Sequence, residues 1–337
     1  MKAVGIRGGK GSADDFFIED NVADPAATGN HIVVRIHSFG LNRMDIMQRE
    51  DRYPYPLLPE SGKILGVEFS GLVEEIGPQC KSDFQVGQRC FGLAYGGAYA
   101  EKISVSENML MHMPDGLSFE TAAGFPETFF TAVQAIHLIG DLQPGQSVLI
   151  HAGSSGVGQA AIQVARCGGA DKIFVTAGSD DKCTLCKSLG ADFAINYRTC
   201  GEDDFAEVIR RETGGKGVEL IIDLVGQAYW HRTTAAAAME GRIVIVATMS
   251  GAVVDKFSFR DLMNKRLWVM TTTLRTRPAD YQKKLRDVVV EKILPHLAKC
   301  EVKVTVDEIF SWLEISSAHK KMESNSHAGK LICNVQV

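Results

Sequence analysis

Apolar and polar positions alternate with two different periods along the chain, and the change falls near residue 125. Before it, stretches such as HIVVRIHSFGLN and GVEFSGLVEEIG alternate in strand fashion and are interrupted by glycine and proline, which predicts β-strands joined by turns. After it, short apolar runs such as SVLIHA, KIFVTAG and VELIIDLVG are separated by segments of helical period. Strands that alternate with helices in this way predict βαβ units and a parallel sheet.

This change of period predicts two domains in an α/β protein. We place a doubly wound, Rossmann-like domain at residues 125–270, inserted into a β-rich domain formed by residues 1–124 and 271–337. Within the Rossmann-like domain, PETFFTAVQAIHLIG predicts a helix that begins near a proline and ends at Gly140. A second helix is predicted from YWHRTTAAAAMEG, over residues 229–241.

Composition and charge narrow the class of protein. The 337 residues are 45% hydrophobic and 23% charged, which is typical of a globular chain long enough for two cores. A formal charge of −5 gives no basic footprint, so we expect no nucleic-acid partner. The first residues lack the apolar core of a signal peptide, and no run of about 18 apolar residues occurs, so we expect no membrane partner and a cytoplasmic location.

A glycine-rich stretch, HAGSSGVGQAAIQ, lies between two apolar runs at residues 151–163. Its glycines are spaced G-x-x-G-x-G, whereas a dinucleotide-binding loop normally has G-x-G-x-x-G, and an ordinary glycine turn is the alternative. The stretch nevertheless follows an apolar strand and opens a helix, the position from which backbone N–H groups hold a pyrophosphate. We therefore predict a phosphate-binding loop. Its predicted cofactor contacts are Ala152, Ser154, Ser155, Gly156, Val157 and Gly158.

The end of the next strand indicates which dinucleotide binds. An NAD site usually places an acidic residue about 20 residues beyond the loop, where it accepts hydrogen bonds from the ribose. Here Ala177 holds that place, and Gly178 leaves room for a 2′-phosphate. Ser179 can donate a hydrogen bond, Lys182 supplies positive charge, and Tyr197 can flank the same pocket. Two acids at 180 and 181 argue mildly against this, although a first helical turn favours acids. We predict NADPH rather than NADH.

These features, with LNRMDIMQREDRYP, ILGVEFSG and the closing AGKLI, resemble the medium-chain dehydrogenase/reductase superfamily over essentially the whole chain. Within it the chain is similar to the zinc-independent quinone oxidoreductases of the zeta-crystallin group, and HAG-x-SGVG-x-AAIQ is similar to the tumour-suppressor-inducible type. In this subgroup the loop has the pattern A-x-x-(G/S)-x-x-G, which Ala152, Ser155 and Gly158 match. The resemblance implies an NADPH-binding Rossmann domain, a GroES-like catalytic domain and a homodimer.

The resemblance also bears on metal binding. Zinc-dependent relatives have a cysteine near the segment that corresponds to GLNRMD and a histidine in a G-H-E motif. Here the first segment offers Asn42 and Asp45, the second has Val67, and residues 91–112 lack a cluster of four cysteines. We therefore expect no bound metal. Because no zinc would polarise the substrate oxygen, we expect an acceptor that is already electrophilic, namely a small-molecule quinone or enone.

Three residues are candidates for the catalytic site. Asn42 and Tyr53 can orient the acceptor oxygen, because an amide and a phenol each donate a hydrogen bond. A turn-stabilising asparagine and a partly buried rim tyrosine are the alternatives. Asp45 is expected to brace the loop, with direct proton transfer as the alternative.

Thr131 matches the family position that faces the nicotinamide, and a threonine bonded back to its own helix is the competing interpretation.

Further cofactor contacts are predicted where strands of a doubly wound sheet end, since ligands bind there. These contacts are Val225, Thr248, Thr273 and Leu274. Asn325 and Lys330 match family positions near the cofactor, and a surface lysine beside a strand is the alternative for Lys330. His151, at a strand end, is interpreted as structural. Cys183 and Cys186 form a C-x-x-C pair, which we interpret as ordinary helix cysteines rather than a zinc or redox site.

Two other functions stay open on the sequence. An NADPH-dependent enoyl or alkenal reductase would use the same architecture with a different pocket. A cofactor-binding protein without turnover is the other, since some zeta-crystallins are structural proteins and some bind RNA. The acidic net charge speaks against RNA.

Overall fold

Helices and strands follow the two hydrophobic periods of the sequence. The computed structural model describes residues 1–53, 63–200 and 204–335. The strands, in chain order, are β1 (Ala3–Ile6), β2 (Phe16–Glu19), β3 (His31–Gly40), β4 (Glu68–Ile76), β5 (Arg89–Leu93), β6 (Lys102–Ser106), β7 (Leu110–His112), β8 (Val148–Ile150), β9 (Ile173–Ala177), β10 (Phe193–Asn196), β11 (Val218–Asp223), β12 (Ala237–Ile245), β13 (Trp268–Thr271), β14 (Val306–Ser311) and β15 (Lys330–Asn334).

The helices alternate with these strands most regularly in the middle of the chain. They are α1 (Arg43–Arg49), α2 (Phe119–Ala123), α3 (Pro126–Val133), α4 (Gly156–Cys167), α5 (Asp180–Ser188), α6 (Phe205–Glu212), α7 (Trp230–Ala236), α8 (Phe259–Lys265), α9 (Ala279–Lys292), α10 (Leu294–Ala298) and α11 (Ile315–Glu323). Residues 134–139 continue α3 as a π-helix that ends before Gly140.

The chain divides into two compact units. Unit 1 comprises Met1–Thr128 and Arg275–Val337, and unit 2 comprises Phe129–Leu274. Unit 2 contains a six-stranded sheet of order β10-β9-β8-β11-β12-β13, and every pairing in it is parallel. The strand order reverses between β8 and β11, which is where an open α/β sheet binds its ligand. The predicted parallel α/β sheet is confirmed.

Unit 1 is built on an antiparallel framework. Its larger sheet has the order β14-β15-β3-β4-β5-β7, with β6 also paired to β3, and β1 pairs with β2 in a separate ribbon. Only the β14–β15 pairing among these described strands is parallel. The predicted β-rich character of this part of the chain is therefore confirmed, with β14 and β15 supplied by its C-terminal segment.

The predicted helix over residues 229–241 is wrong in its second half. Helix α7 ends at Ala236, and the following residues begin β12, where Ala237 pairs with Val218 of β11. Alanine favours helices by less than about 1 kcal/mol per residue, so pairing within a buried sheet overrides its local preference.

No helix in the described ranges is both long enough and apolar enough to cross a lipid bilayer.

Candidate active-site residues

The glycine-rich loop of unit 2 joins β8 to α4 by a sharp turn. Ala152 adopts the left-handed conformation, with a φ of +53°. A Cβ atom added to Gly158 would lie 2.3 Å from the carbonyl oxygen of Ala152 and 2.7 Å from the Cα of Gly153. Only glycine therefore allows the first turn of α4 to pack this closely against the end of the strand, as a phosphate-binding loop requires.

The N-terminus of α4 is capped by its own loop. Ser155 accepts a hydrogen bond from Gly158 N at 3.1 Å and donates its hydroxyl hydrogen to Ala152 O at 2.8 Å. The first backbone N–H groups of a helix have no partner within the helix, which leaves those of Gly156 and Val157 for an anion. Ser154 lies between these N–H groups and β8, and its carbonyl oxygen accepts a hydrogen bond from the Gln159 side chain. The loop fits a pyrophosphate.

The residues predicted to recognise a 2′-phosphate follow β9 and β10, with Lys182 in α5. A Cβ atom on Gly178 would lie 2.8 Å from the Tyr197 hydroxyl, so the phenol rests directly over a backbone with no side chain. Ser179 caps α5 by accepting a hydrogen bond from Lys182 N at 3.3 Å. The Lys182 ammonium forms no hydrogen bond or ion pair with any described residue, whereas Asp180 accepts a hydrogen bond from Asn196 at 2.8 Å.

Thr131 lies on α3, in unit 2, and its side chain is buried. Its hydroxyl bonds to no described residue, whereas the hydroxyl of Thr128, one turn earlier, donates to Phe125 O at 3.2 Å. The competing interpretation of Thr131, a threonine bonded back to its own helix, is therefore wrong. Its hydroxyl is left for another partner.

The predicted strand-end contacts come from three loops of unit 2. Val225 N donates to Asp223 at 2.7 Å, and the Val225 carbonyl accepts from Ser250 at 2.9 Å. Thr248 precedes a turn closed by Gly251 N, which donates to the Thr248 carbonyl at 3.0 Å. Thr273 accepts a hydrogen bond from Gln134 at 3.3 Å, and Leu274 is the last residue of the unit.

Asn42 belongs to a buried polar network in unit 1. Its side-chain amide donates to Glu68 Oε1 at 2.9 Å and accepts from Lys330 Nζ at 2.7 Å. Lys330 also forms an ion pair with Glu68 at 2.5 Å and donates to Leu41 O at 2.9 Å. Glu68 is 0% exposed, Lys330 6% and Asn42 9%. The interpretation of Lys330 as a surface lysine is therefore wrong.

Glu127 extends this network toward α3. Its backbone N–H donates to Glu68 Oε2 at 2.9 Å, so both oxygens of the Glu68 carboxylate are bonded. Burial, followed by repulsion from Glu68, raises the pKa of the Glu127 carboxyl to about 7. Neither glutamate was among the sequence candidates. The signal available was Glu68 itself, an acidic residue between the apolar Val67 and Phe69.

Asp45 ends a second buried chain of hydrogen bonds in unit 1. Asp45 Oδ2 accepts from Asn42 N at 2.8 Å and from the Tyr99 hydroxyl at 3.0 Å. The Tyr99 oxygen lies 3.2 Å from His319 Nε2, and His319 Nδ1 lies 3.1 Å from Arg49 Nη1.

The direction of this chain follows from its arginine. A guanidinium only donates, so His319 Nδ1 accepts and the imidazole proton lies on Nε2, facing Tyr99. Every bond therefore points toward Asp45. Burial raises the pKa of Asp45 to about 6, and these bonds oppose that shift. The arrangement supports the bracing role expected for Asp45, since its carboxylate holds the backbone of Asn42.

The remaining candidates are placed as follows. Tyr53 has the guanidinium of Arg275 over its ring, 5.4 Å from the centroid. Asn325, at a φ of +56°, accepts a hydrogen bond from Arg43 at 2.5 Å. His151 bridges the hydroxyls of Thr176 and Thr233 at 3.1 and 3.0 Å, in agreement with a structural role. Burial lowers the pKa of its imidazole to about 3.

Cys183 and Cys186 are buried free thiols on α5. Burial raises the pKa of Cys186 to about 12, which suppresses formation of the reactive thiolate. Among the residues that the structure describes, no group of three or more His, Cys, Asp or Glu side chains is arranged to hold a metal ion.

Two protein-family models match successive parts of the chain. Residues 28–115 match the alcohol dehydrogenase GroES-like domain, and residues 156–291 match the zinc-binding dehydrogenase family. The reducing polyketide synthase rdc5 of Metacordyceps chlamydosporia is 30% identical over 320 residues. That match covers 94% of this chain and 13% of the synthase, so the chain spans a small part of that relative.

Solved structures match over nearly the whole chain. The quinone oxidoreductase of Escherichia coli complexed with NADPH is 28% identical with a TM-score of 0.83, and the match covers 99% of this chain and 100% of that one. CurK enoyl reductase is 27% identical with a TM-score of 0.84, covering 99% of this chain and 98% of that one. The predicted fold, a GroES-like β-rich domain with a Rossmann domain, is confirmed.

Proposed function

The chain belongs to the medium-chain dehydrogenase/reductase superfamily, and we propose that it is an NADPH-dependent reductase that delivers hydride to a quinone. The observation that carries the cofactor assignment is the segment from the end of β9 into α5, where small residues and a lysine that pairs with no described residue replace the acidic residue of an NAD site. The likeness to the E. coli quinone oxidoreductase, a complex with NADPH, supports both the cofactor and the acceptor.

Unit 2 supplies the groups that would hold the dinucleotide. The N–H groups at the start of α4 would bind the pyrophosphate, and Ser179 and Lys182 the 2′-phosphate. Thr131 would use its hydroxyl, which bonds to no described residue, on the nicotinamide end. When bound, the dinucleotide supplies the hydride, and the protein contributes position and exclusion of water.

Unit 1 supplies the groups that would orient the acceptor. The Asn42 amide is held at both ends, by Glu68 and by Lys330, so its remaining N–H has one fixed direction. Asp45 and the chain behind it hold the same residue by its backbone. An acceptor oxygen placed at this N–H would meet a preorganised donor, which is more effective than a mobile one.

Within the superfamily we place the chain among the zinc-independent quinone oxidoreductases of the zeta-crystallin group, with the tumour-suppressor-inducible type. Ala152, Ser155 and Gly158 support this through the loop pattern, and Val67 supports it because valine cannot ligate zinc. We also propose the homodimer that this resemblance implies. Light scattering on the purified chain tests the dimer, and a monomer mass would contradict it.

The acceptor is tested by NADPH oxidation with three compounds. We expect the highest kcat/KM with 1,2-naphthoquinone, and lower values with a conjugated enal and an enoyl thioester. A preference for the enal or thioester would favour the second candidate, an enoyl or alkenal reductase, which the likeness to CurK enoyl reductase supports. Tight NADPH binding without oxidation by any acceptor would favour a binding protein without turnover.

A further inference from the structure

Unit 1 also holds an arginine whose charge has no carboxylate partner among the described residues. The Arg275 guanidinium carbon lies 5.4 Å from the ring centroid of Tyr53 and 5.8 Å from that of Tyr95. Its Nη2 donates to the Tyr95 carbonyl at 2.8 Å. The side-chain oxygen of Gln48, in the amide orientation that satisfies both partners, accepts from Nη1. The guanidinium is therefore fixed in position by two rings and two oxygens.

Two buried donors beside these contacts have no partner in the described part of the chain. They are Arg275 Nε and the Tyr95 hydroxyl. A buried donor without a hydrogen bond costs about 1–3 kcal/mol, and more when it is charged. Native proteins contain few such groups, and those that occur call for a specific explanation.

The chemistry of these two groups defines what they would bind. An Arg Nε–H is always a donor, and burial raises the pKa of Tyr95, which keeps its phenol protonated. Each of these donors requires an acceptor atom, and the positive charge of the guanidinium favours an acceptor that is negative. The matching ligand is therefore an oxygen that carries or gains negative charge.

We propose that Arg275 and Tyr95 form an oxyanion site, which binds the carbonyl oxygen of the acceptor and stabilises the charge it gains during reduction. This inference rests on the proposed reductase function. Hydride from NADPH adds two electrons to the conjugated acceptor, a C–H or O–H bond forms, and a π electron pair moves onto the bound oxygen. That oxygen then takes one proton from water to give the hydroquinone or enol, while NADPH becomes NADP⁺.

This site extends the acceptor machinery to two residues that sequence patterns did not indicate. Tyr53, a sequence candidate for orienting the acceptor oxygen, packs against the Arg275 guanidinium, so the two side chains would contact the same acceptor. Donors that are fixed before the reaction stabilise a developing oxyanion most effectively, and removal of one such donor typically costs about 10²–10³ in rate.

Binding of 4-nitrophenol to the full-length chain tests the site without turnover, because its phenolate and phenol forms absorb differently. Wild type should bind the phenolate about tenfold more tightly than the phenol, which lowers the apparent pKa of the bound compound by about one unit. Arg275→Met should abolish the preference. Tyr95→Phe, which removes a single oxygen atom, should reduce it. Arg277→Met is the matched control, since Arg277 lies over the ring of Tyr281 instead, and should retain it.

Turnover distinguishes an oxyanion site from a merely structural arginine. Arg275→Met should lower kcat/KM for naphthoquinone about 100-fold while the Kd for NADPH stays at the wild-type value. Equal phenolate preference in wild type and Arg275→Met would overturn the proposal. If wild type prefers phenolate but oxidises NADPH with no acceptor, the reductase function is contradicted and the anion site stands.

Discussion

Replacing Gly158 with alanine tests the phosphate loop at its tightest point. The added methyl group would lie 2.3 Å from Ala152 O, 2.7 Å from Gly153 Cα and 2.8 Å from Gly153 C. All three are backbone atoms, so no side-chain rotation can relieve the contact. Real Cβ atoms essentially never approach another heavy atom within 3.0 Å, so the loop must move by about 0.7 Å.

The size of the effect follows from this displacement. Overpacking a tight site costs about 1–3 kcal/mol, which we expect as a loss of unfolding free energy. The moved segment is the one whose N–H groups would bind the pyrophosphate, so affinity should fall as well. Since about 1.4 kcal/mol corresponds to a factor of ten, a similar loss in binding energy would weaken NADPH about 5- to 150-fold.

Fluorescence titration with NADPH measures the affinity, and urea denaturation measures the unfolding free energy. Gly168→Ala is the matched control at the other end of α4, because Gly168 has an ordinary φ of −76° and the atom nearest to its added Cβ, at 2.9 Å, belongs to the side chain of His137, whereas the backbone atoms lie at 3.3 Å or more. It should bind NADPH like wild type. Wild-type affinity in Gly158→Ala, or equal losses in both variants, would refute the assignment of the loop.

Three further predictions follow from the described contacts. Lys182→Ala should weaken the binding of NADPH about tenfold and leave the binding of NADH unchanged, because a charged hydrogen bond contributes about 1.5–3 kcal/mol. Lys187→Ala on the same helix is the control. Equal losses of affinity for both cofactors would contradict the assigned 2′-phosphate site. Lys330→Met should lower the unfolding free energy by about 3–5 kcal/mol because it leaves the buried Glu68 carboxylate without its ion pair. In urea denaturation, the double variant with Glu68→Gln should recover part of this loss. No recovery would show that the Lys330–Glu68 ion pair does not explain the effect. Burial raises the pKa of Asp45 to about 6, above its unfolded value near 4, so the folded state binds more protons than the unfolded state between these pH values. Wild type should therefore lose stability relative to Asp45→Asn as pH rises through that window, and the difference in unfolding free energy should shift by about 2 kcal/mol between pH 4 and 7. A constant difference would show that Asp45 titrates normally.

Local patterns account for the parts of the molecule that sequence analysis predicted well. The parallel sheet of unit 2 follows from runs such as SVLIHA and KIFVTAG, which become β8 and β9 with the helices between them. The position of the glycine loop between strand and helix, rather than the spacing of its glycines, predicts its function. Its geometry depends on neighbours within six residues, such as Ala152 and Gly158, so the sequence holds that information.

Long-range contacts account for what sequence analysis missed. Asn42, Glu68 and Lys330 meet across separations of 26 and 288 residues, and no local pattern marks such a meeting. Arg275 and Tyr95 are 180 residues apart. The sequence predicts the end of α7 too late for a related reason, because pairing of Ala237 with β11 decides the conformation of Ala237 against a local preference for helix.

Quinone-dependent cofactor oxidation by one preparation of the protein tests directly whether this chain is an NADPH-dependent reductase. NADPH and NADH are compared with 1,2-naphthoquinone as acceptor, and Gly158→Ala serves as the reference for a damaged loop. We predict oxidation of NADPH with a kcat/KM at least about tenfold above that for NADH, a difference of about 1.4 kcal/mol. Equal oxidation of the two cofactors, or no oxidation despite NADPH binding, would contradict the assignment of this chain as an NADPH-dependent reductase.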